Sequence, residues 1–359
     1  MRIALITDTH WGIRNDSHVF YDYMKKSSDY FFEYLRKNKI KKIIHLGDLY
    51  ERRKYVNFIT AARCRKDFLE VVDAEFEMDV IAGNHDIYHK NTNDINSLQE
   101  LVRGYSNIHV HMSPVTKKYG KRDILLLPWI CPSNYDESME AINRTPAKTC
   151  FGHLELNGFE ISKGDEYHGG MESKIFDKFE LVGSGHFHHR STKGNITYLG
   201  AAHEFIWSDW NDDRGFNIYD TETNTLEFIK NPYSMFHMIV YDDANQMQSI
   251  RDDIDNKDFS IYKNSYIKIV ALKKNNAALF DQFLDKLYQA EVEDVTIIED
   301  INLFTDESEE ELNAEGETTV SIINKYIDSI NMELNPIKTK KYMMDIYMEA
   351  IAMEKTNDN

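Results

Sequence analysis

Five polar motifs, each placed just past an apolar strand candidate, constrain this chain more than any other feature of it. Asp8 and His10 follow residues 3–6, Asp48 follows 42–46, and Asn84-His85-Asp86 follow 78–82; His153 follows 149–151, and His186 with His188 follow 181–182. Between the first two strands Phe20, Met24, Ser27, Phe31 and Leu35 recur at helical spacing, which predicts an amphipathic helix over 19–38; residues 58–72 read the same way. Residues 124–127 add a strand, and 197–199, 215–219 and 226–229 read as a β-meander. Strand–helix–strand alternation predicts an α/β layered domain. In such sheets ligands bind beyond the carboxyl ends of the strands, so separate segments would deliver polar side chains to one rim.

The residue types suit a pair of divalent cations. Carboxylate, imidazole and amide oxygen without thiolate favour Mn²⁺, Fe²⁺ or Zn²⁺ over a structural zinc site. In Asp8-x-His10 and His186-x-His188 a spacing of two puts both side chains on one face of an extended segment, and the same period turns His189 away. Gly47, Gly83, Gly152 and Gly185 precede the motifs and are expected to allow the tight turns that aim them. Each motif alone has a bland alternative: a capped strand end for Asp8-x-His10, an Asx turn for Asn84-His85-Asp86, a satisfied strand-end histidine for His153. Their joint occurrence after separate strands points to metal chemistry.

Asp8-x-His10, Gly47-Asp48, Gly83-Asn84-His85-Asp86, Gly152-His153 and Gly185-His186-x-His188 together resemble the calcineurin-like metallophosphoesterases over about residues 1–230. That resemblance implies a two-layer β-sandwich flanked by helices. It implies that Asp8, His10 and His188 hold one metal, that Asn84, His153 and His186 hold the other, and that Asp48 bridges both. Two such ions clamp phosphoryl oxygens and lower the pKa of a shared water. His85 would be the general acid for the leaving oxygen, and Asp86 would orient it or stabilise its charge, with a turn-forming role as the alternative.

Within that superfamily Thr7-Asp8-Thr9-His10-Trp11-Gly12 and Gly47-Asp48-Leu49-Tyr50 resemble the SbcD-type nucleases of double-strand-break repair. Leu127-Pro128-Trp129, Gly152-His153-Leu154-Glu155-Leu156-Asn157-Gly158-Phe159 and Asp213-Arg214-Gly215-Phe216 further resemble the recombination endonuclease subunits of large tailed bacteriophages. This implies an exonuclease and endonuclease acting on DNA with two Mn²⁺, Mg²⁺ being a substitute, and with 3′-to-5′ polarity. The implied assembly is a homodimer within a heterotetramer with an SMC-like, SbcC-type coiled-coil ATPase. Glu51 departs from the Asp or His that many relatives carry after the Gly-Asp-Leu element.

The texture changes near Asn231-Pro232. Beyond a 1–230 phosphoesterase domain, strands at 238–241, 266–272 and 295–298 with helices at 244–253 and 276–289 predict a small α+β module over 231–303, in the place of the capping domain that helps such nucleases admit DNA. An acidic linker is expected over 304–318, and a helical segment over 319–354 carries Val320, Ile323, Ile327, Ile330 and Leu334 at helical spacing before Pro336. A second stripe follows at Met343, Ile346, Tyr347 and Ala350; these helices stand where relatives dock on the ATPase.

Composition adds one tension. The 359-residue chain has three separated cysteines, an N-terminus unlike a signal peptide and no apolar run near the ~18–20 residues of a membrane span, so the expectation is the cytoplasm, that of a host cell on the phage resemblance. Its formal net charge is −18, whereas a protein that binds DNA alone is usually basic. Either the substrate is not a polymer or the metals and a partner supply the positive charge. Lys41-Lys42, Arg52-Arg53-Lys54 and residues 338–341 are the basic clusters, and Arg52 and Arg53, shortly after Asp48, are the candidate substrate contacts. The rival reading is a phosphatase of small molecules or proteins on the same scaffold, although the Gly-Asn-His-Glu and Gly-Asp-x-x-Asp-Arg-Gly elements of phosphoprotein phosphatases are absent. A silent scaffold is disfavoured because no ligand is missing. His45 is expected to pack within its strand, and His168 and His203 lie in loops open to substrate contact.

Overall fold

The computed structural model describes residues 1–299; the acidic linker and the helical segment expected beyond them lie outside the described residues. Two six-stranded mixed sheets form the body. Across the first, the strands run Thr225–Lys230, Gly215–Asp220, Arg2–Ile6, Lys42–His45, Glu77–Ile81 and Ile108–His111, and the last four are mutually parallel. Across the second they run Ser191–Lys193, Ile196–Tyr198, Leu181–Gly185, Thr149–His153, Arg122–Leu127 and Val115–Tyr119, with the central four parallel.

Strand alternation explains how the sheets stack. Ile3 and Leu5 point to one side with Ile44, Leu46 and Ile81, where they meet Ile124, Leu126, Phe151 and Leu199 of the second sheet's half of the molecule. Ala4, Ile6, Ile43, Met78 and Val80 face the other side and pack under Phe20, Met24, Phe31, Leu35 and Phe68. Strands buried on both faces read as continuous apolar runs, as 3–6 and 43–46 do. The covering helix His18–Lys37 starts at Ser17, whose hydroxyl accepts from Phe20 N, and ends with Arg36 and Lys37 beside its negative pole. The second helical stretch, from Phe58 to Glu75, contains a π-helical turn at Arg65–Leu69.

Three expectations are corrected. The strand Ile196–Tyr198 pairs in parallel with Leu181–Gly185 in the second sheet, so it forms no meander with Gly215–Asp220 and Thr225–Lys230, which close the first sheet. Thr149–His153 runs two residues further than its apolar residues indicate, so His153 is the last residue of the strand itself. Of the four glycines expected to supply turns, Gly47 alone has a positive φ, 96°.

Residues beyond 231 build a separate parallel sheet of Phe236–Asp242, Tyr266–Lys273 and Asp294–Ile298. Its helices Met247–Asn256 and Ala277–Gln289 bury Ile250, Ile254, Phe280 and Phe283 against Tyr241, Ile267 and Ile269. Met235 and Phe236 remain in the core of the body.

Candidate metal centre

The polar motifs converge because the parallel strands that carry them end at the same rim. Past Ile6 and His45 the two chains keep pairing: Asp8 N donates to Gly47 O at 3.1 Å, His10 N to Asp48 O at 3.1 Å, and Trp11 N to Leu49 O at 2.9 Å. Asp8, His10, Asp48 and His186 all sit at positive φ, of 50°, 46°, 55° and 91°. Side chains other than glycine rarely adopt that conformation, and such strain collects where surrounding structure enforces a functional geometry. The glycines serve close approach instead. A Cβ on Gly83 would lie 2.1 Å from Asp48 Oδ1, and one on Gly185 would lie 2.0 Å from Thr7 Oγ1.

Two triads of donor atoms result from the expected ligands, Asp8 with His10 and His188, and Asp48 with His153 and His186, and a third group joins His10 to Glu51 and His85, the atoms of each lying within 4.8 Å of one another. His10 Nε2 and His188 Nε2 approach to 3.1 Å, and each lies 3.9 Å from Asp8 Oδ1. Asp48 Oδ2 is 3.3 Å from His153 Nε2 and 3.8 Å from His10 Nε2, between the two groups. His153 Nδ1 contacts the Leu46 carbonyl at 2.6 Å, which fixes the ring with Nε2 turned to the centre. His186 turns Nδ1 inward and leaves Nε2 3.9 Å from Glu155 Oε1, while Trp129 packs on its ring at 5.0 Å.

The residues fit cations. Asp8 and Asp48 are carboxylates buried from water, a costly arrangement unless positive charge compensates them. Burial opposes a charge on His153, yet Asp48 overrides it and lifts the imidazole to about 9. Asn84 is the sharper indicator. Its Oδ1 faces His153 Nε2 at 3.0 Å and His186 Nδ1 at 2.9 Å. Turned over, the amide would donate to both rings and to Asp48 Oδ2, and its oxygen would accept from Arg53 Nη2. Acceptors gathered oxygen-inward round one point suit a shared ion better than a hydrogen-bond network.

His85 stands beside the triads without joining either. Its backbone N–H donates to Asp48 Oδ1 at 2.7 Å, and its Nδ1 meets the Glu51 carbonyl at 2.5 Å, leaving Nε2 for other work. The largely buried ring packs edge-on against His10 at 4.9 Å. Asp86, expected to orient His85, faces elsewhere. Its carboxyl accepts from Asp48 N at 2.8 Å, Gly83 N at 2.9 Å and Leu49 N at 3.1 Å, bracing the two ligand loops together. Burial and the nearby Asp48 charge push it up to about 6.

The two arginines part company. Arg52 is engaged by Asp16 at 2.7 Å and Asn15 at 2.5 Å, whereas Arg53 Nη2 lies 3.2 Å from the outer atom of the Asn84 carboxamide. His45 packs in its strand against Thr9 Oγ1 at 3.0 Å, and burial lowers it to about 3. His203 is buried and likewise lowered to about 3, while His168 is exposed beside Glu166. His189 pairs with Asp212 at 2.8 Å, turned away from the triads, but not by strand period: the strand ends at Gly185, His186 sits at positive φ, and His186 and His188 serve different triads. Residues to which the sequence assigned no role also shape the centre. Phe205 packs against both His10 and His188, and Arg214 donates to the His188 carbonyl. Phe205 carried no sequence signal, whereas Arg214 lay in the Asp213-Arg214-Gly215-Phe216 element and Glu51 stood out as the odd residue after Gly-Asp-Leu-Tyr.

Residues 1–201 match the model of the calcineurin-like phosphoesterase superfamily domain. Exonuclease subunit 1 of Enterobacteria phage T4 is 31% identical over 333 residues, which cover 92% of this chain and 93% of that protein. A solved structure described as a novel archaeal phosphodiesterase aligns over 64% of this chain and 99% of that one with 12% identity and a TM-score of 0.34, too slight a likeness to carry an argument. The matched stretch is the one whose strand ends build both triads, and on that ground the chain belongs to the calcineurin-like phosphoesterase superfamily and is a metal-dependent phosphoesterase.

Proposed function

We propose that the chain is a two-metal nuclease that hydrolyses DNA phosphodiester bonds, as exonuclease and endonuclease, within a complex formed with an SMC-like coiled-coil ATPase. The observation that supports it most is Asp48 Oδ2 standing between the His10 and His153 rings, a bridging position for two ions. Asp8, His10 and His188 would hold one ion, Asn84, His153 and His186 the other, with Mn²⁺ the proposed metal and Mg²⁺ its substitute. Such a pair supplies Lewis acidity and an activated water at neutral pH. His85, with Nδ1 held at the Glu51 carbonyl, presents Nε2 to protonate the leaving oxygen. Arg53 is placed to meet a phosphate oxygen beside Asn84.

DNA enters the proposal through the near full-length likeness to a phage exonuclease subunit. The net charge of −18 favours a partner that brings the basic groove, docked on residues 319–354, and an assembly in host cytoplasm; no helix among the described residues is long and apolar enough to cross a membrane. The module after residue 231 would act as the cap beside the site. The same acidity favours the rival reading, a phosphoesterase of small or protein substrates.

The test is cleavage of linear duplex and single-stranded DNA by the purified chain, alone and with the ATPase, in Mn²⁺ or Mg²⁺, beside a His85→Ala control. Metal-dependent cleavage lost in the variant supports the nuclease. No cleavage with the ATPase present, together with turnover of bis-p-nitrophenyl phosphate, gives the site to the rival.

A further inference from the structure

We infer that Glu51 is a positioning residue that locks the ligand His10 and the proton donor His85 into one rigid unit. The inference rests on the metal-centre reading above, and its observations are independent of the substrate. Glu51 Oε2 lies 2.7 Å from His10 Nδ1, the ring nitrogen opposite the one that faces His188 and Asp48. The backbone carbonyl of the same residue meets His85 Nδ1 at 2.5 Å, and its carboxylate remains 4.0 Å from that nitrogen. Glu51 N in turn donates to Trp11 O at 3.1 Å, which ties it to the loop that carries His10.

A carboxylate behind a ligating imidazole fixes its tautomer, with the proton on the far nitrogen and the lone pair on the metal side, and raises its basicity. Glu51 stands 2.7 Å behind His10, where a small turn of ring or carboxylate would let it hold that ring in this way, and its main-chain carbonyl meets His85. The two rings, edge to face at 4.9 Å, are therefore both met by one residue. A second arrangement of the same atoms is a third cation held by His10, Glu51 and His85, whose donor atoms also lie within 4.8 Å of one another. Glu51 Oε2 lies 2.7 Å from His10 Nδ1 as an ion-pair contact, not aligned as a hydrogen bond, and it is the commitment of His85 Nδ1 to the Glu51 carbonyl that disfavours a third ion there.

The test is Mn²⁺ binding by isothermal titration calorimetry, with bound ions counted by native mass spectrometry, on wild type, Glu51→Ala, Glu51→Gln and His85→Ala. A wild type that fails to bind two ions defeats the metal-centre reading itself. Given two, the expected result is that Glu51→Ala weakens one ion by roughly 10–100-fold and leaves the other unchanged. Glu51→Gln, which keeps an acceptor but not the charge, is expected to be intermediate, and it carries the test should the alanine variant not fold. His85→Ala is expected to bind both ions as wild type does. Equal weakening of both ions, no weakening of either, or a third wild-type ion that is lost with His85 overturns the inference.

Discussion

Asp86 accepts the backbone N–H of Asp48 at 2.8 Å, so the carboxylate next to the candidate acid His85 holds the proposed bridging ligand. Its other oxygen accepts from Leu49 N. Both oxygens thus face N–H groups, and an amide there would set donor against donor. Asp86→Asn is expected to cost roughly 1–3 kcal/mol of stability, read by urea unfolding, and to weaken metal binding. Unchanged stability would mean that the loops are braced some other way.

His85→Ala should keep both metals, since the ring is in neither of the two triads proposed to hold them, and the group it forms with His10 and Glu51 is not one of these. The loss should instead track the leaving group. On DNA, where the departing alkoxide needs a proton, the rate is expected to fall roughly 10²–10⁴-fold. On bis-p-nitrophenyl phosphate, whose phenolate leaves without help, the fall should be far smaller. Equal losses on both substrates would remove His85 from proton transfer.

Arg53 and Arg52 are adjacent in sequence and separable by function. Arg53→Ala is expected to lower kcat/KM roughly ten- to a hundredfold, as loss of a charged hydrogen bond to phosphate implies. Arg52→Ala breaks a partly exposed pair with Asp16 and should cost under about 1 kcal/mol, with kcat/KM close to wild type. Steady-state kinetics on one oligonucleotide compares them, and the reverse order would place the phosphate at Arg52.

Glu204 makes stability depend on pH at the start of the third sheet. Its Oε2 accepts from Met235 N at 2.6 Å and Phe236 N at 3.0 Å, and burial raises its carboxyl to about 7. Between its ordinary pKa and 7 the folded chain binds more proton than the unfolded one, so this group's contribution to stability is full below that window and falls as pH rises through it. Glu204→Gln keeps an acceptor without the charge. From pH 5 to pH 8 the wild type should lose roughly 2 kcal/mol relative to the variant in chemical denaturation. Parallel pH profiles would count against the shift.

Which side chains gather at the centre was legible in the sequence because it depends on local pattern. Apolar runs at 3–6 and 42–46 make strands wherever both faces are covered, and Asp8, His10, Asp48, Asn84, His153, His186 and His188 stand at the ends of such runs. What local pattern leaves open is which residue a side chain meets across the sandwich. Asp86 follows His85 directly and Glu51 follows Asp48 by three residues, and strand pairing turned the first toward backbone amides and brought the second to His10. Arg52 and Arg53 differ only in direction, and the loop sends one to Asp16 and the other to Asn84. The 196–198 strand joined the second sheet because a parallel neighbour, Leu181–Gly185, was free beside it, a pairing set by long-range packing. Residue type and period fix which groups are present and roughly where the chain turns; contacts between distant segments, and the positive φ values those contacts enforce, exist only once the sheets have stacked.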